Sequence, residues 1–60
     1  MSAYNVDIVY PGGSAVPLNG TVRNIEEANN LVRKLRFRLT GKTEIDEGPS
    51  PNVIRVFVRG

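Results

Sequence analysis

Asn24 to Gly41, NIEEANNLVRKLRFRLTG, is the one stretch with a clear helical period, and it restricts the fold more than any other. At about 100° per residue, Ile25, Ala28, Leu31, Val32, Leu35 and Leu39 fall in a single arc roughly a third of the circumference wide. A stripe of that width lets a helix cover one face of a sheet. Asn24 suits the N-cap, and Glu26 and Glu27 stand in the first turn, where the helix dipole favours negative charge. Arg33, Lys34, Arg36 and Arg38 crowd the other end, and Gly41 is the residue expected to take the left-handed conformation that stops the helix.

Strand patterns flank this helix. Tyr4 to Tyr10 alternates, with Tyr4, Val6, Ile8 and Tyr10 on one side and Asn5, Asp7 and Val9 on the other. Pro11-Gly12-Gly13-Ser14 supplies a turn, and Ala15 to Val22 resumes the alternation, so the two pieces form a hairpin. Pro17 lacks an N–H for a ladder, which assigns the second strand to an edge. Asn19-Gly20 reads as a bulge in preference to a second tight turn, because the segments beside it are short. After the helix, Lys42 to Asp46 is either a short third strand or loop, and Gly48-Pro49-Ser50-Pro51 is loop. Val53 to Arg59 is the strongest strand, with Ile54, Val56 and Val58 on one face and Val53, Arg55, Phe57 and Arg59 on the other.

A hairpin, a crossing helix and a returning strand place the first and last strands side by side and parallel. The expected fold is therefore α+β, a β-grasp-like ββαβ(β) domain over residues 1–60 with strand order 2-1-4-3. On domain size, element order, the glycine-rich first turn (Gly12, Gly13), Gly20-Thr21-Val22 before the helix and the closing strand Ile54 to Gly60, the chain resembles the small immunoglobulin-binding domains of bacterial surface proteins, the protein L and protein G type. That family favours alanine and tyrosine on the helix, where this chain has Arg33, Lys34 and Arg36. The resemblance implies an architecture; no motif here carries the family's antibody contacts across residue by residue.

Sixty residues bury only about 60% of the unfolded surface, so a chain of this size needs a well-filled core or a partner. It has no cysteine to supply a disulfide or thiolate metal site, and no histidine to serve as a neutral-pH base. With no buried-looking serine and little room for a cleft, a non-enzymatic role without cofactor or metal is expected. No apolar run reaches the roughly 20 residues of a membrane span. MSAYNVDIVY has no basic start or cleavable apolar core, which makes the cytoplasm the default expectation.

Local motifs have plain readings. Gly41-Lys42-Thr43 resembles the end of a phosphate loop, but Arg36 stands where the motif needs its first glycine, and the segment follows a helix instead of preceding one. Asn19-Gly20-Thr21 matches a glycosylation sequon, yet the Asn-Gly pair is explained by a bulge. Glu44, Asp46 and Glu47 lack the spacing of a calcium loop.

Two aromatic-cationic groups remain. Phe37 falls opposite the apolar stripe, near Arg33, as a binding-surface anchor would. The alternative is that the helix ends near Arg36 and Phe37 tucks under the sheet edge. Arg55, Phe57 and Arg59 present an aromatic between two cations on the open face, a pattern that stacks single-stranded bases. The alternative there is that the arginines pair with Asp7 or Glu44 while Phe57 shields the face. The favoured expectation is a protein-interaction module, binding a partner or itself through Arg33 and Phe37, through Arg55, Phe57 and Arg59, or through an edge strand. Nucleic acid is the alternative partner. All the basic residues except Arg23 lie in Arg33–Lys42 or Arg55–Arg59, which permits that contact without requiring it.

Overall fold

The structure, a computed structural model, describes residues 3–49 and 52–60. The elements are β1 (Tyr4–Val9), β2 (Ala15–Val22), α1 (Ile25–Lys34), β3 (Leu39–Ile45) and β4 (Val53–Val58). The four strands form one mixed sheet in the order β2-β1-β4-β3, with β1 and β4 parallel at its centre and an antiparallel strand at each edge. This is the expected α+β class and strand order. The expected loop over 48–51 lies outside the described residues at Ser50 and Pro51.

One face of the sheet meets the helix. Val6 and Ile8 of β1, Val22 of β2, Ile54, Val56 and Val58 of β4, and Ala28 and Val32 of α1 are all buried in one cluster. Period two in the strands and period 3.6 in the helix produce that match, as the alternations imply. No polar residue is buried among the described residues. Pro17 pairs with Asp7 on the edge strand β2. The Asn19-Gly20 bulge also forms: Asn5 pairs with Thr21 and Asp7 with Pro17, so residues 18–20 oppose Val6 alone, and Gly20 has φ 99°.

The helix start follows its sequence signals. Asn24 Oδ1 accepts from the Glu27 N–H at 2.8 Å, and Glu27 Oε1 accepts from the Arg23 N–H at 2.9 Å, a reciprocal cap. The helix end does not follow them. The helix stops at Lys34, with Leu35 as C-cap, well before Gly41. Arg36 takes the left-handed conformation, φ 69°. Its N–H donates to the Arg33 carbonyl at 2.8 Å, and the Phe37 N–H donates to the Val32 carbonyl at 3.4 Å. These two bonds are those of a Schellman motif, here with arginine in the usual glycine position.

Three expectations change as a result. Leu35 is not core; it is 48% exposed, because the chain turns away before completing another turn. Leu39 belongs to β3, paired with Val58 and packed against the core. The third strand starts at Leu39, not Lys42, and Gly41, φ 91°, makes a bulge in it between the Leu39 and Thr43 pairings.

Candidate interaction face

The sheet face away from α1 carries Asn5, Asp7 and Val9 from β1 and Val53, Arg55 and Phe57 from β4, since their alternates form the core cluster; Val9 is itself buried, outside that cluster. On β3 the register pairs Glu44 with Arg55, which places Lys42, Glu44 and Asp46 on the same side. Thr43 points the other way, where its hydroxyl donates to Asn29 Oδ1 of the helix at 2.6 Å.

Charges on this face are sorted along the strands. At the level of Arg55 stand Asp7 on β1 and Glu44 on β3, and Asp46 lies one step beyond, its N–H donating to the Val53 carbonyl. The Arg55 guanidinium donates to Glu44 Oε1 at 3.1 Å, with Asp46 Oδ1 at 3.8 Å. Arg55 Nε is buried and has no partner of its own. At the level of Phe57 there is no carboxylate among the described residues: Val9 is its β1 neighbour, and Lys42 Nζ lies 4.5 Å from the Phe57 ring centroid, a cation–π contact.

Beyond Phe57 the face dips into an open cleft of about 520 Å³, formed by the ends of β1 and β4 and the first turn. Pro11 and Phe57 give it apolar surface beside the buried Val9, and Lys42 and Arg59 are the charged side chains among its described lining residues. A smaller groove of about 360 Å³ runs between α1 and β2 past Val22, Leu31 and Lys34.

The sequence candidates separate accordingly. Phe57 and Arg59 line the same cleft, with Arg55 one alternation back in its carboxylate pairs. Arg33 and Phe37 stand in different surroundings. Arg33 is exposed on the helix, its Nη1 donating to Asn30 Oδ1 at 3.3 Å. Phe37 follows the helix stop, packs against the core and meets Tyr10 edge to face with centroids 6.0 Å apart. Its tucked alternative is the one observed, because the left-handed Arg36 reverses the chain just before it. Arg55 likewise pairs with Glu44, one of the two partners anticipated for it.

Sequence reasoning missed Lys42, Val9 and the turn residues as parts of one cleft. An unbroken strand starting with Leu39 opposite Val58 would align Thr40 with Phe57 and Lys42 with Arg55; the bulge at Gly41, not legible in the sequence, shifts the register and brings Lys42 level with Phe57. Gly41-Lys42-Thr43 lies inside β3 and precedes no helix. Asn19 is exposed on β2. Among the described residues no three His, Cys, Asp or Glu side chains gather as a metal site would need. No helix there is long and apolar enough to cross a membrane. Comparison with protein-family models, with curated proteins and with solved structures yields no match.

Proposed function

We propose that this domain is a non-enzymatic protein-interaction module that binds through the open sheet face centred on Phe57. The cleft carries the reading: it combines apolar surface from Pro11 and Phe57 with two cationic side chains, and no acidic side chain is among its lining residues. Aromatic and cationic side chains around an apolar depression are the composition from which interface anchors are drawn. The other surfaces considered fit less well. Phe37 is engaged with the core and Tyr10. Both sheet edges are blunted, β2 by Pro17 and its bulge and β3 by the bulge at Gly41, which works against strand addition.

Single-stranded nucleic acid is the competing ligand, favoured by Lys42 and Arg59 beside an aromatic ring. Two contacts weigh against it. Lys42 sits over the Phe57 ring, where a base would stack, and Arg55 is held by Glu44 and Asp46. Panning a displayed peptide library on the immobilised domain tests the reading. Selected peptides should bind about tenfold or more weakly to Phe57→Ala and equally well to Arg33→Ala. Peptides indifferent to Phe57→Ala would refute the site. Oligothymidylate binding that falls steeply with salt would move the assignment to nucleic acid.

A further inference from the structure

We propose that the occupant of this cleft is an acidic segment of a partner protein, with an apolar side chain among its carboxylates. The proposal rests on the reading of the Phe57 face as a protein-binding surface and adds the chemistry of what binds there. Cross-strand charge pairing along β3 and β4 carries it. Toward one end the pairing is complementary: Glu44 stands opposite Arg55, and the two side chains meet at 3.1 Å. At the other end it is not. The Arg59 N–H donates to the Arg38 carbonyl at 2.8 Å, which extends the ladder one pair beyond Leu39 and Val58 and sets arginine opposite arginine. Leu39 packs against the core, so its neighbour Arg38 falls on the open face, where Arg59 lines the cleft.

Like charges directly opposite each other across an antiparallel pair destabilise the sheet. Lys42 adds a third cation at the level of Phe57. All three side chains are exposed, and the ion pairs among the described residues are those of Arg55. The chain's six Asp and Glu residues stand elsewhere. Asp7 and Glu44 are level with Arg55, and Asp46 and Glu47 follow Ile45 past it. Glu26 and Glu27 open the helix after the Tyr4–Val22 pairing, at the end of β1 away from the cleft. Carboxylates brought from outside would meet three cations and relieve a repulsion that these acids leave in place. Complementarity of that kind selects partners.

An acidic peptide suits the site better than a nucleic acid strand. Lys42 over the Phe57 ring blocks a stacked base, whereas a carboxylate can pair with Lys42 where it stands. The apolar surface of Pro11 and Phe57 lies beside Lys42 and Arg59, so an apolar side chain next to the carboxylates completes the match.

The test titrates a capped pentapeptide, four glutamates around a central phenylalanine, into the intact domain and follows amide chemical shifts. The amides of Gly12, Gly13, Lys42 and Phe57 should move, and added salt should weaken binding. The glutamine counterpart of the peptide should bind about tenfold or more weakly. Arg38→Gln with Arg59→Gln should raise the dissociation constant about fivefold or more, the scale of two exposed ion pairs lost. Arg38→Glu gives a second readout, because it turns the like pair into a complementary one. It should melt at or above wild type and yet bind the peptide more weakly; a lower melting point would remove the repulsion on which the proposal stands. A glutamine peptide that binds as well as the glutamate one overturns the proposal, as does a glutamate peptide that moves no cleft amide at millimolar concentration. Tighter binding of oligothymidylate would give the site to nucleic acid instead. A mass that rises above 6.6 kDa with concentration and is returned to it by Phe57→Ala would give the site to a second copy. In the panning experiment, peptides that need Phe57 but carry no excess of Asp and Glu would overturn the acidic occupant and leave the protein-binding site standing. Peptides indifferent to Phe57→Ala would remove both.

Discussion

The place where the helix ends can be tested with two substitutions that two readings of this chain rank in opposite order. If α1 ran to Gly41, Leu35 would be core and Phe37 exposed. In the structure Leu35 is 48% exposed and Phe37 packs against the core and Tyr10. Truncating a fully buried Phe to Ala costs about 3–5 kcal/mol. Phe37 is half-buried, which scales the loss to roughly 1.5–3 kcal/mol. Within that, the edge-to-face contact with Tyr10 accounts for about 0.5–1.5 kcal/mol. In a domain this small each kcal/mol moves the melting midpoint by about 4–8 °C. Phe37→Ala should thus melt at least about 6 °C below wild type and unfold at lower urea, while Leu35→Ala should lose less than about 1 kcal/mol. Both are read by circular dichroism on the same preparation, with urea midpoints at low temperature as the second measure. A Leu35→Ala variant less stable than Phe37→Ala would refute the Schellman ending and restore the longer helix.

Arg36→Gly should raise stability by up to about 1 kcal/mol, since relief of left-handed strain of about 1–2 kcal/mol outweighs the roughly 0.5–1 kcal/mol cost of glycine's flexibility; a lower melting point than wild type would contradict the strain at φ 69°. Asn24→Ala removes the acceptor for the Glu27 N–H and should cost about 1 kcal/mol, with Asn24→Asp nearly neutral by thermal melting. Glu44→Gln should change stability by less than about 1 kcal/mol, because its pair with Arg55 is more than a third exposed on both sides; a large loss would mean the pair is structural. Pro17→Thr should keep the fold and increase light scattering on storage, and amide exchange showing β2 protected on both sides would refute its edge position.

The strand order, the edge position of Pro17 and the buried face of β4 were legible because each rests on local chemistry. A period of two sorts Ile54, Val56 and Val58 from Arg55 and Phe57 whatever the neighbours are. A proline without an N–H is restricted wherever it stands in a sheet. The reciprocal cap at Asn24 and Glu27 is likewise written in residues three apart.

What the tertiary structure decided lies between Leu35 and Lys42. The apolar arc continues through Leu35 to Leu39, so periodicity alone runs the helix on to Gly41. The helix stops at Lys34 because Phe37 finds the core and Tyr10 only if Arg36 turns left-handed, and that packing outweighs arginine's backbone preference. The early stop frees Leu39 to pair with Val58 and leaves Gly41 to absorb the offset as a bulge, which sets Lys42 over Phe57. A glycine available for a left-handed turn carries no mark of which turn it serves. Local pattern therefore determined β1, β2 and β4, and long-range packing determined where β3 begins and which charges share the open face.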